Sequence, residues 1–127
     1  MSLMDRILRR DAVTRKRGAE AEDLAARYLA RKGLAVLEKN FRVRGGEIDL
    51  ICRDGDSLVF VEVRLRSNSE YGGAAASITP TKQRRIIQAA RHWLAKHGEQ
   101  ACRFDCILLD ALDESRIEWI TNAFAAD

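Results

Sequence analysis

The chain contains no apolar run near the ~20 residues that a membrane-crossing helix needs. Its start, "MSLMDRILRRDAVTRKRG", lacks the apolar core of about 7–15 residues that marks a secretory signal. Proline occurs once, at Pro80, and no linker or internal repeat interrupts the sequence. Cysteine is scarce and odd in number: Cys52, Cys102 and Cys106 show no paired-motif spacing, which argues against a disulfide framework and for a reduced, cytoplasmic setting. A zinc site is not expected either, because His92 and His97 share one helical stretch and only a lone C-x3-C accompanies them. What is present is ordinary for a globular protein, with 46% hydrophobic and 32% charged residues. A length of 127 residues suits one domain with one real core, and residues 1–13 are expected to be a flexible basic segment ahead of it.

Charge is unevenly placed. Residues 1–44 carry 12 basic against 6 acidic side chains, residues 45–100 carry 8 against 7, and residues 101–127 carry 2 against 6. A basic front is the usual electrostatic footprint of a polyanion partner, and it is also a common solvated face.

"TRKRGAEAEDLAARYLARKG" predicts a helix from about Thr14 or Arg15 to Lys32, closed by Gly33, with Ala21, Leu24, Ala25, Tyr28 and Leu29 as its apolar stripe. Glu22 sits at the rim of that stripe. "LAVLEKNFRV" reads as an extended lead-in to a hairpin over "GGEIDLICRDGDSLVFVEVRLR", with Asp54-Gly55 as the two turn residues. "SNSEYGGAAASITPTK" reads as a loop. Thr79 as N-cap and Pro80 in the first turn open a second helix to about Lys96, with Ile86, Ile87, Ala90, Trp93 and Leu94 inward. Gln83 interrupts that stripe. "RFDCILLDA" and "RIEWI" predict two further strands. The order makes the fold class α/β, bordering α+β: a mixed central sheet flanked by helices.

The hairpin is where chemistry is concentrated. With Asp54-Gly55 at the turn, Glu47 falls opposite Glu62 and Asp49 opposite Phe60. Alternation puts Glu47, Asp49, Phe60, Glu62 and Arg64 on one face, and leaves Ile48, Leu50, Val59, Val61 and Val63 to the main core. Clustered carboxylates repel. Such a cluster calls for a divalent cation, a nearby guanidinium or a raised pKa. The plain alternative is a wet sheet face whose acids are merely solvated. Aspartate is a poor strand former, however, and Glu22 and Gln83 are further polar exceptions on apolar stripes. With Glu62, these make four polar side chains that would converge on one pocket.

Asp49, twelve intervening residues and Glu62-Val63-Arg64 resemble the D-xn-E-x-K core of the PD-(D/E)xK nuclease superfamily, which has the restriction-endonuclease-like fold. "GAEAEDLAARYLARKG", "GGEIDLI", "LVFVEVRLR", "GGAAASITPTKQRRI" and "FDCILLD" resemble, over roughly residues 15–124, the YraN-like family of small bacterial proteins. The organisation is also similar to archaeal Holliday-junction resolvases. The resemblance implies a Mg²⁺- or Mn²⁺-dependent endonuclease-like phosphodiesterase acting on structured DNA, or a nucleic-acid-binding protein on that scaffold with little hydrolysis. Carried over by position, it implies Asp49, Glu62, the Val63 carbonyl and Glu22 around the metal. Gln83 would orient a phosphate or water, and Glu47 would stand behind the ligands or in an ion pair. Lys82, Arg84, Arg85, Arg91 and Arg17 would grip phosphates. Arg64 stands where the superfamily usually has lysine, and an arginine cannot act as a general base. A homodimer is a further expectation by analogy, with "YGGAAAS" as a contact surface.

Overall fold

The computed structural model describes residues 1–65 and 78–126, apart from the side chain of residue 14. The elements in chain order are α1 (Leu3–Arg31), β1 (Ala35–Val43), β2 (Gly46–Asp54), β3 (Ser57–Leu65), α2 (Pro80–His97), β4 (Cys102–Leu109), a 3-10 turn (Glu114–Arg116) and β5 (Ile117–Phe124). The expected "YGGAAAS" contact surface and most of the expected loop around it lie outside the described residues. Among the described residues, no helix is long and apolar enough to cross a membrane.

The five strands form one mixed sheet in the order β1-β2-β3-β4-β5. Among the described strands only β3 and β4 are parallel, and the chain passes through α2 between them, since parallel neighbours cannot be joined by a tight turn. The α/β expectation therefore holds.

Each face of the sheet carries its own core. On one side Ala21, Ala25 and Leu29 of α1 pack on Leu50, Cys52, Val59, Val61 and Ile107. On the other, Ile86, Ala89, Ala90 and Trp93 of α2 pack on Ile51, Leu58, Phe60 and Leu108. The hairpin face expected to be polar is thus a second core: Phe60 is fully buried and Glu62 is 3% exposed. The physical reason is the parallel crossover, which lays a helix over that face as well.

Helix ends follow local chemistry. The Thr79 hydroxyl accepts from the Lys82 N–H and Pro80 occupies the first turn, so α2 starts where the sequence predicts. At the other terminus α1 begins at Leu3, earlier than the predicted start near Thr14. The Ser2 hydroxyl and the Asp5 carboxylate form a capping box there.

Two backbone features shape the hairpin. The turn residues are Gly55 and Asp56, with Asp54 paired to Ser57, one position later than expected. Glycine first in a two-residue loop meets the positive φ of 60° found there. The shift moves every cross-strand partner by two, which by itself preserves the faces and changes the neighbours; Ile48, expected with Leu50, Val59, Val61 and Val63, nevertheless packs in the α2-side core. Gly46, at the start of β2, lies against α2: a Cβ added there would sit 2.3 Å from the Arg85 carbonyl oxygen and 3.0 Å from the Ala89 nitrogen. That close approach fixes the height of α2 above the hairpin. Gly46→Ala is therefore expected to destabilise the fold by about 1–3 kcal/mol, as overpacking does, measured as a lower urea midpoint at unchanged slope.

Candidate active site

The β2–β3 ladder runs only from Asp54↔Ser57 to Leu50↔Val61. Beyond it β2 stays with β1 as far as Val43↔Gly46, and β3 stays with β4 as far as Leu65↔Leu109. The sheet is therefore forked at Asp49. In the fork the Asp49 carboxylate takes the place of a ladder partner: its Oδ2 accepts from the Val63 N–H at 2.8 Å. A strand residue presents its N–H and C=O to the same edge, so the Val63 carbonyl opens into the fork too.

A second distortion faces the fork from β1. Asn40 adopts a left-handed backbone conformation, with φ 54°, which asparagine tolerates better than most residues. The flip puts Phe41 and its partner Ile48 on the α2 side, whereas Leu50, the partner of Lys39, faces α1. The Asn40 side chain acts on the Glu22 carboxyl of α1, pulling its pKa down, and the neighbouring Lys39 Nζ lies 3.2 Å from Asp23 Oδ1. These contacts bring Glu22 to the fork.

Glu62 lies on the α2 face of β3, and its carboxyl is hydrogen-bonded to that of Asp49. Lys82, in the first turn of α2, places Nζ 2.9 Å from Glu62 Oε1. Burial, then the Asp49 charge, pushes the Glu62 carboxyl up to about 7 despite the Lys82 ammonium. Burial likewise raises Asp49, against the pull of the Val63 N–H and Lys82. Glu22 is raised by burial and by the Asp49 charge, while Asn40 and Arg42 pull it down. Two carboxyls in contact inside a protein cannot both ionise without a cation.

The donors fit a hard divalent ion. Asp49, Glu62 and the Val63 carbonyl are all oxygen, and such an ion commonly takes one or two carboxylates, completing its shell with water and substrate phosphate. Among the described residues, no three acidic, histidine or cysteine side chains gather closely enough to hold one. Glu22 thus stands beside the pair.

The other sequence candidates are placed differently. Glu47 was expected opposite Glu62. The β2–β3 ladder stops at Leu50↔Val61, so Glu47 has no partner on β3; it pairs in the β1–β2 ladder with Arg42, whose Nε lies 3.6 Å from Glu47 Oε2. Arg64 is half-buried on the same face as Glu62, beside Leu108 of β4. Gln83 spends its amide N–H on the Ile78 carbonyl at 3.0 Å, holding the approach to α2. Arg84 and Arg91, seven residues apart, lie on the exposed side of α2, and Arg85 and Arg17 are exposed as well. None of these four is brought to the acid pair.

Sequence reasoning assigned Lys82 to phosphate grip and passed over Asn40. Signals existed for both. Lys82 is four residues before Ile86, which places it on the buried stripe, and asparagine in mid-strand is a poor β former. Asp105 was also passed over. It is fully buried and accepts from Arg103 Nε, Trp119 Nε1 and the Asn122 N–H, a satisfied structural network away from the fork.

A five-stranded mixed sheet between two helices, with buried acids at a fork between strands two and three, makes this an α/β protein. The family described as "Uncharacterised protein family UPF0102" matches residues 21–109. A UPF0102 protein of Dechloromonas aromatica is 61% identical over 114 residues, covering 90% of this chain and 92% of the relative. Another, from Nitrosomonas europaea, is 56% identical over 109 residues, covering 85% and 92%. A third, from Ralstonia pickettii, is 53% identical over 121 residues, covering 91% and 94%. The chain belongs to the UPF0102 family, the YraN-like family that its motifs resemble, and membership of the nuclease superfamily is consistent with this.

A carboxyl raised in the folded state binds its proton there at a pH where the unfolded chain has released it, so stability falls as pH rises through that window. For Glu62 the window runs from its ordinary value of 4.5 to about 7. A shift of that size corresponds to a loss on the order of 3 kcal/mol across it. Glu62→Gln is expected to flatten this slope and to be more stabilising at pH 8 than at pH 5, measured by urea unfolding in chelator-treated buffer.

Proposed function

We propose that the protein is a nucleic-acid-binding, divalent-metal-dependent phosphodiesterase of endonuclease type, acting on structured DNA. The observation that carries the reading is the buried Asp49–Glu62 pair at the strand fork, raised in pKa and faced by Lys82. A structural role alone would not require two carboxyls in contact, because apolar side chains of similar size would pack there at lower cost.

Asp49 and Glu62 would hold Mg²⁺ or Mn²⁺ together with the Val63 carbonyl, and Glu22 would reach it directly or through water. When bound, the ion lowers the pKa of a water nucleophile and offsets charge developing on the scissile phosphate. The Val63 N–H fixes the Asp49 carboxylate, so one ligand is preorganised by the backbone. Arg64, on the Glu62 face, offers a permanent positive charge to a phosphate and cannot accept a proton. Arg84 and Arg91, on the outer side of α2, and Arg85 and Arg17 would contact flanking phosphates, which sets affinity and not base preference. Specificity would then come from the shape of the nucleic acid.

A second reading, binding with little or no hydrolysis, is favoured by one observation: the lysine of the D-xn-E-x-K pattern is Arg64 here. A panel of single-stranded, duplex and junction DNA, assayed with and without Mn²⁺, separates the two. Under the first reading the parent cleaves at least one structured substrate only with Mn²⁺, and Asp49→Asn drops to the protein-free rate while still binding. Equal cleavage by parent and Asp49→Asn contradicts it, and binding without cleavage by either selects the second. Replacing Arg84 and Arg85 together by alanine is expected to make log K less steep in log salt by roughly 0.9 for each phosphate no longer neutralised.

A further inference from the structure

We propose that Lys82 is a built-in counter-cation of the acid pair, whose release couples binding of the divalent ion to binding of a nucleic-acid phosphate. The proposal rests on the reading above, in which Asp49 and Glu62 take a metal. It goes beyond it by giving Lys82 two successive partners.

The geometry motivates the exchange. Lys82 Nζ lies 2.9 Å from Glu62 Oε1, and its side chain is only 34% exposed against 4% for that of Glu62. Its charge also acts on Asp49, so one ammonium serves both carboxyls. Its backbone is pinned, since the Lys82 N–H donates to Thr79 Oγ1 at 3.1 Å and Pro80 sets the first turn. What can move is the four-carbon side chain, which carries its charge on rotatable bonds.

Charge balance then dictates the order of events. Without a metal, Lys82 is the cation that faces Glu62. A divalent ion held by the two carboxyl groups would replace that counter-charge. The ammonium would then face a cation, with its former partner engaged elsewhere. Leaving it half-buried and unpaired is unfavourable. A phosphodiester oxygen brought to the same cleft restores an anionic partner, and Lys82 is long enough to turn from one to the other. Without nucleic acid, Lys82 competes with the metal. With it, the competitor becomes a ligand for the phosphate. Linkage makes the effect mutual: phosphate tightens metal binding by the factor by which metal tightens phosphate binding.

The test titrates Mn²⁺ into the full chain by calorimetry, with and without a phosphorothioate-substituted DNA junction that resists cleavage. Parent, Lys82→Met and Asp49→Asn are compared, the last correcting for Mn²⁺ held by the DNA alone. The parent is expected to bind Mn²⁺ weakly alone and about 5-fold or more tightly with DNA, within the usual range of site–site coupling. Lys82→Met is expected to bind Mn²⁺ tighter than the parent without DNA and to lose most of the DNA effect. Lys82→Gln serves as the second neutral variant should the methionine not fold, as judged by circular dichroism. A neutral variant that folds and binds Mn²⁺ no tighter than the parent overturns the proposal and leaves the metal site standing. Failure of parent and neutral variants alike to bind Mn²⁺ overturns the metal reading, and this proposal with it.

Discussion

Two carboxyl groups share a hydrogen bond inside the sheet, and most of the surrounding structure answers the charge problem that they create. Glu62 is nearly inaccessible to water and Asp49 is desolvated beside it. Neither can ionise freely. The fold offsets this with one backbone N–H from Val63, one ammonium from Lys82 and a proton retained to near neutral pH. The N–H comes from β3 and the ammonium from α2, so with Asp49 the cluster ties β2, β3 and α2 together at one point. Glu22 of α1 stands beside it, with Asn40 of β1 acting on its carboxyl. Buried ionisable groups in this arrangement are costly, and active sites are where such cost commonly gathers.

The fork has causes in the chain itself. Gly46 lets α2 approach the start of β2 more closely than any side chain would allow. The left-handed Asn40 turns the end of β1 over, and its neighbour across the ladder, β2, turns with it. β3 cannot follow, because its parallel ladder with β4 continues to Leu65. Strand pairing on both outer sides therefore pulls β2 and β3 apart at Asp49, leaving donors on the inner edges without ladder partners. An unpaired buried backbone group must find a partner. The Asp49 carboxylate meets one of them, the Val63 N–H.

Much of this was legible in the sequence, and the failures have physical causes. Helix α2 was readable from Thr79, Pro80 and Gly98, because capping is local chemistry. The faces of the hairpin were readable from alternation except at Ile48, which the flip at Asn40 moves to the α2 side, and the turn lies one residue later than Asp54-Gly55. A glycine with positive φ can stand at either turn position, and only pairing decides between them. Cross-strand partners were misassigned for that reason; Glu47 was set against Glu62, but the β2–β3 ladder ends before reaching it, and it meets Arg42 of β1. The supposed wet face was missed as a core because burial there depends on α2, an element distant in sequence. Asp49, Glu62 and Glu22 were identifiable as polar exceptions in apolar patterns. Lys82 was read only as a phosphate contact, because a lysine among other basic residues looks like surface, although its spacing to Ile86 shows which way its turn faces.

Membership of the UPF0102 family and the α/β sandwich place the acid pair within a polypeptide whose relatives share most of its length. The central claim concerns the pair itself: Asp49 and Glu62, faced by the Lys82 ammonium, are proposed to take a divalent ion. Crystallography of the full chain soaked in Mn²⁺, with anomalous scattering from the metal, measures this directly. The account predicts an anomalous peak within ordinary coordination distance, roughly 2.0–2.3 Å, of Asp49 and Glu62 oxygens, with the Lys82 ammonium withdrawn from Glu62. A Lys82–Glu62 contact unchanged at saturating Mn²⁺, with no peak in the fork, would contradict it.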